Sequence, residues 1–168
     1  MTGTPSKTQT LLARVAVALS VVLLAFGVLK YGVSGDELAR LWQNTLDRPS
    51  GRFDFRFILQ PLMAAFAAFR DGIADARSGR APFLWTVVTD PAQRRGRLTE
   101  AVLATARIVL LGLAIDTAYQ LYTFDSFHPA EAVLIALLLA FLPYLLLRGL
   151  VTRIWRRWVR DPRTGGIR

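Results

Sequence analysis

Residues Ala132–Leu147 are sixteen consecutive positions with no charge and, apart from Tyr144, no strong hydrogen-bonding side chain. Seven arginines follow directly: Arg148, Arg153, Arg156, Arg157, Arg160, Arg163 and Arg168. With Pro129–Glu131 as its first turn, the run is long enough to cross a hydrocarbon core of about 30 Å. The arginines then hold its far end on the cytoplasmic side. This pairing predicts an integral membrane protein with a cytoplasmic C-terminus.

The net charge of +9 over 168 residues invites a nucleic-acid reading. No helix-turn-helix, zinc-finger or RNA-recognition pattern accompanies it, and the positive charges flank apolar spans, where membrane topology accounts for them. Only Lys7 and Lys30 are lysines among the 21 basic residues. An arginine-rich flank suits anionic lipid headgroups, which a guanidinium grips through two donors. The chain has no cysteine, which excludes disulfides, thiolate nucleophiles and Cys-ligated metals.

Leu11–Val33 reads as the first transmembrane helix. Its charge-free stretch, Val15–Leu29, is bracketed by Arg14 and Lys30, about 24 Å apart along a helix, so both can reach opposite surfaces. No small-x-small cleavage site follows, so an uncleaved span is expected rather than a signal peptide. Ser34-Gly-Asp-Glu37 has the form of a capping box opening a membrane-surface helix over 35–46. Asp47–Arg52, with Pro49 and Gly51, reads as a loop.

Residues 53–78 are ambiguous. Their uncharged part, Phe57–Phe69, spans only thirteen residues, which favours an interfacial or re-entrant helix over a full crossing. Ile58, Leu62, Ala65, Phe66, Phe69 and Ile73 form an apolar stripe. Pro61 begins or kinks the helix, and Gly79 is placed to end it. Phe83, Leu84 and Trp85 suggest a further interfacial anchor. Asp90-Pro91 has the form of an N-cap followed by proline at the first helical position. A basic turn then leads into a transmembrane hairpin, 101–123 and 129–148, with 149–168 as a basic cytoplasmic tail. Pro143 is expected to bend the last helix.

The expected fold is therefore an all-α integral membrane protein with three transmembrane helices and interfacial amphipathic helices, or four if 53–78 crosses. The three-span topology places eighteen Lys and Arg inside and two outside, with the N-terminus outside. The four-span topology places both termini inside, with fifteen against five.

Asp116 stands out because a carboxylate within a span is costly and usually partnered. Tyr119 and Gln120 lie beside it. A proton or ion path is one reading of this group, and a hydrogen bond to a neighbouring helix or subunit is the favoured one. Arg107, near the inner end of the span, reads as a snorkelling anchor. His128, the only histidine, is a weak candidate ligand for haem, chlorophyll or a metal; capping of the next helix is the favoured reading. No cofactor or metal is expected. Asp71 and Asp75 repel as an i,i+4 pair, so bridging arginines are expected within a solvated interfacial helix. Arg148, Arg153, Trp155, Arg156, Arg157 and Trp158 are expected at lipid headgroups. No GxGxxG, Walker A, GxSxG or HExxH sequence is present.

Phe53-Asp-Phe-Arg-Phe57, Gln60-Pro61, Arg70-Asp-Gly72, Asp75-Ala-Arg77-Ser-Gly-Arg80, Pro82-Phe-Leu-Trp85, Asp116-Thr-Ala-Tyr-Gln120 and Pro143-Tyr-Leu-Leu-Leu-Arg148 together resemble a family of small uncharacterised bacterial integral membrane proteins. The resemblance covers residues from about Phe53 to Trp158 and implies architecture, not chemistry. The first span looks like an addition to that pattern and hints at docking to a larger assembly. The expected function is a non-enzymatic accessory subunit of a respiratory or photosynthetic inner-membrane complex, contacting lipid and other membrane-protein subunits. A homo-oligomeric channel or small transporter using Asp116 is the alternative.

Overall fold

The computed structural model describes residues 5–32, 39, 43, 55–123 and 127–160. Five helices are bounded among them: α1 (Lys7–Tyr31), α2 (Phe55–Arg77), α3 (Phe83–Thr89), α4 (Pro91–Thr123) and α5 (Pro129–Arg160). There is no strand among the described residues. Apart from positions 39 and 43, the expected surface helix over 35–46 lies outside the described residues, as do its capping box and the loop 47–52.

Local chemistry sets the helix ends. Ser6 and Gln9 form a reciprocal capping box at the start of α1. Asp90 Oδ1 accepts from the backbone N–H groups of Ala92 and Gln93 at 3.0 and 3.1 Å, and Pro91 supplies the first turn of α4. Gly79, at φ 71°, closes α2 as the glycine signal predicts. There the Arg80 N–H reaches Asp75 O and the Gly79 N–H reaches Ala76 O, the crossed pair that satisfies the last carbonyls.

Helix α5 is central, and each of the other four packs on it. Close contacts fix the directions. Gly27 of α1 lies against Ala130, and the Tyr31 hydroxyl donates to Phe127 O at 2.7 Å. At the other end of α1, Ala13 and Ala16 cluster with Ala106 of α4. So α1 runs parallel to α4 and antiparallel to α5. Gln60 of α2 reaches Ile108 O, and further along Asp71 meets Tyr144 and Asp75 meets Arg148. Helix α2 is thus parallel to α5 along its length.

That placement differs from the interfacial or re-entrant helix expected over 53–78. Four helices, α1, α2, α4 and α5, are long and apolar enough to cross a membrane. Counting charge-free residues stops at Arg70, but Asp71 and Asp75 find partners on α5, so the helix continues against the bundle through its charged last turns. The hairpin helices are also longer than expected. Helix α4 starts ten residues before Ala101, and α5 continues through much of the presumed tail.

Between the ends lies a core of small and branched residues: Ala64, Ala68, Ile108, Val109, Leu113, Val133, Ala136 and Ala140. Small side chains let the helices approach closely where lipid offers no hydrophobic driving force. Helices α4 and α5, with 33 and 32 residues, reach about 50 Å, against about 37 Å for the 25 residues of α1. All three are level at the Tyr31–Phe127 end, so the excess length projects at the arginine-rich end.

Candidate functional site

In that projecting end three helices and a short connection bring their charged residues together. The last turns of α2 supply Asp71 and Asp75, the start of α4 supplies Arg97 and Glu100, and α5 supplies Tyr144 and Arg148. Arg80 enters from the α2–α3 connection, and Phe83 opens α3. Asp75, Arg97 and Arg148 are only 2, 2 and 3% exposed.

Asp75 is the hub. Arg148 Nε donates to its Oδ2 at 2.8 Å and Arg148 Nη2 to its Oδ1 at 3.1 Å, a two-pronged contact. Arg97 Nη1 donates to Oδ1 at 2.9 Å, and Arg80 Nη1 stands 3.4 Å away. Glu100 is a second node, accepting from Arg80 at 2.7 Å, from Arg148 at 2.8 Å and from Arg97 at 3.3 Å. Tyr144 accepts from Arg148 Nη1 at 2.9 Å and donates to Asp71 Oδ2 at 2.7 Å. Arg97 Nη2 is taken by Ala81 O. Two carboxylates, Asp75 and Glu100, therefore share three guanidiniums, and Asp71 stands 3.6 Å from a fourth, that of Arg70. The guanidinium carbons of Arg97 and Arg148 lie 5.3 and 4.7 Å from the centre of the Phe83 ring, whose electron-rich face favours them. Arg97 Nε is left buried without a hydrogen-bond partner.

This geometry overturns two expectations. Arg148 is no headgroup anchor: its N–H groups are committed to Asp75, Glu100 and Tyr144 inside the protein. Asp75 does not lie on a solvated helix face. Arginines do bridge the two aspartates' surroundings, but from distant helices rather than from α2 alone. Arg156 turns inward to the carbonyls of Gly79 and Arg80 and so also tethers the α2–α3 connection. Trp155 is half-buried with Arg77 over its ring, while Arg153, Arg157 and Trp158 are exposed.

Asp116 and its neighbours form a separate group at the opposite end. Asp116, Tyr119, Gln120 and Glu131 are buried there. Gln120 Nε2 donates to Asp116 Oδ2 at 2.7 Å and to His128 O at 3.2 Å, while Gln120 Oε1 accepts the His128 N–H at 2.7 Å. His128 precedes α5, its carbonyl accepts the Ala132 N–H, and its ring stacks on Tyr31 at 4.4 Å. Among the described residues no group of three His, Cys, Asp or Glu is placed to hold a metal ion.

Sequence reasoning passed over Arg97, Glu100 and Tyr144 as site residues, and it read Phe83 as an interfacial anchor, whereas the ring is fully buried beneath the arginines and only Trp85 of that group is exposed. The i,i+3 pair Arg97–Glu100 and the i,i+4 pair Tyr144–Arg148 were the available signals, and each is common on helices. No protein-family model, curated protein sequence or solved structure matches the chain.

Proposed function

We propose that the chain is a four-pass inner-membrane protein with both termini on the cytoplasmic side, acting as a non-enzymatic accessory subunit of a larger membrane complex. The observation that carries this reading is the engagement of the polar interior. The Asp75 and Asp116 groups lie at opposite ends of the bundle, separated by the alanine-rich core. Two buried polar side chains within that layer turn to backbone carbonyls: Thr105 to Ala101 O at 2.8 Å and Gln60, through Nε2, to Ile108 O at 3.4 Å, with Gln60 Oε1 left without a partner. An ion path needs polar groups in line and weakly held. A catalytic site needs a nucleophile beside a base, or an acid–base pair facing a cavity. The ion cluster at the projecting end, which ties α2, α4 and α5 together, suits a rigid joint that fixes helix register.

The orientation follows from the basic residues of the projecting end, where Arg94, Arg95, Arg153 and Arg157 are exposed. Elsewhere the outer faces of α1 and α2 present Val22, Leu29, Ile58, Leu62 and Phe66, suited to lipid or to a neighbouring subunit's helices.

Gentle solubilisation of native membranes, followed by native-gel separation and mass spectrometry of the band, tests the proposal. A partner at fixed ratio is expected. A band containing this chain alone, together with ion flux that Asp116→Asn abolishes, would replace the subunit reading with a self-assembled pore.

A further inference from the structure

Helices α1 and α2 both flank α4 near the arginine-rich end and leave a crevice of about 200 Å³ between them. Its walls include Gln9 and Leu12 from α1, Phe66 and Arg70 from α2, and Leu103 and Arg107 from α4. That volume is below the range of drug-sized ligand pockets and suits a headgroup with the upper part of one acyl chain, the rest of the lipid lying outside.

The charge of the crevice is one-sided. No carboxylate lines it, and two guanidiniums do. Arg107 has no carboxylate partner among the described residues and lies exposed on a span. Arg70 is loosely paired with its neighbour Asp71 at 3.6 Å, and the other oxygen of Asp71 is held by Tyr144. Gln9 accepts the Ser6 N–H through Oε1, which leaves its amide N–H groups as the remaining donors. The depth is also informative. Gln9 lies in the first turn of α1, close to Lys7, so the crevice sits where headgroups meet acyl chains. The apolar wall of Leu12, Phe66 and Leu103 continues from there toward the membrane core.

We propose that this crevice is a specific site for one anionic phospholipid of the arginine-side leaflet, with the phosphate between Arg70 and Arg107 and an acyl chain along Phe66 and Leu12. Arginine forks match phosphate oxygens, and basic pockets between spans on the cytoplasmic side select anionic headgroups. The site rests on the chain lying in a membrane and is independent of the subunit reading.

Native mass spectrometry of the purified full chain, titrated with phosphatidylglycerol or phosphatidylcholine, tests it. One phosphatidylglycerol should remain bound per chain, with no such retention of phosphatidylcholine. Arg70→Gln combined with Arg107→Gln should weaken retention about tenfold or more, the size expected of two guanidinium contacts with an anionic headgroup. Ala67→Leu, which fills the crevice without changing charge, should also displace the lipid. Arg153→Gln with Arg157→Gln, at the exposed end of α5, should leave the single bound lipid in place. Equal retention of both lipids by the parent chain overturns the site without reliance on any variant. So does a double Arg70/Arg107 variant that holds phosphatidylglycerol as tightly as the parent.

Discussion

Arg148 and Asp75, 73 residues apart in sequence, meet through two N–H···O bonds of 2.8 and 3.1 Å, so that one guanidinium edge spans both carboxylate oxygens. The contact ties α2 to α5, and Arg97 ties α4 to the same carboxylate. Removing the carboxylate leaves two buried guanidiniums without their main counter-charge. Asp75→Asn is therefore expected to destabilise the protein by about 3–5 kcal/mol. Arg148→Lys should recover little, because an ammonium cannot bridge both oxygens and also reach Tyr144 and Glu100. Thermal unfolding in detergent reads both, and an Asp75→Asn protein as stable as the parent would mean that the cluster is solvated.

Three glycines mark close helix approaches, and their surroundings rank the cost of adding a methyl group. At Gly72 a Cβ would lie 2.8 Å from Val151 Cβ and 2.9 Å from the Arg148 carbonyl oxygen. At Gly27 it would lie 2.6 Å from Ala130 Cβ and 2.8 Å from its backbone nitrogen. Backbone cannot yield at either place, so α5 must move. At Gly112 the nearest obstacle is the end of the Gln60 side chain, 2.1 Å away, which can rotate, while the Ala136 Cβ at 3.1 Å needs to give by only a few tenths of an ångström. Gly72→Ala and Gly27→Ala should each cost about 1–3 kcal/mol, with Gly112→Ala milder. Gly72→Ala should also loosen the ion cluster, since its site lies between Asp71 and Asp75. Unfolding midpoints for the three variants test the order, and Gly112→Ala as the most damaging would reverse it.

Apolar run length and arginine placement were enough to read an all-helical membrane architecture from the sequence, and the caps at Asp90 and Gly79 were legible because local hydrogen bonding alone sets them. The role of α2 was not. Its charge-free stretch is short, and what allows the helix to pack lengthwise is the presence of Tyr144 and Arg148 on a helix some seventy residues later. The same non-local pairing hid the ion cluster. Arg148 follows a sixteen-residue apolar run, a position that reads as a headgroup anchor until Asp75 is placed beside it. The Asp116–Gln120 bond, by contrast, spans one helical turn and could be read directly.

Gln120 joins the α4–α5 connection to α4 through both ends of its amide. It donates to Asp116 and to His128 O and accepts from the His128 N–H. Gln120→Met keeps the volume but leaves Asp116 and the backbone of His128 each short of this partner. The expected loss is about 1–3 kcal/mol, with faster amide exchange at His128. Exchange at His128 unchanged from the parent would show that the connection is held by the Tyr31 contacts instead.

The natural absence of cysteine makes the topology directly measurable by single-cysteine labelling. Parallel packing of α1 with α4 and of α2 with α5 places Ser6 and Ser78 at the arginine-rich end and Lys30 at the other. All three side chains are exposed. Ser6→Cys and Ser78→Cys should therefore react with a membrane-impermeant maleimide only after the membrane is opened from the cytoplasmic side. Lys30→Cys should react in intact cells whose outer barrier has been made permeable. The three-span alternative reverses Ser6 and Lys30 while leaving Ser78 inside. Ser6→Cys labelled from outside would thus reject the four-span arrangement, and with it the parallel placement of α1 and α4.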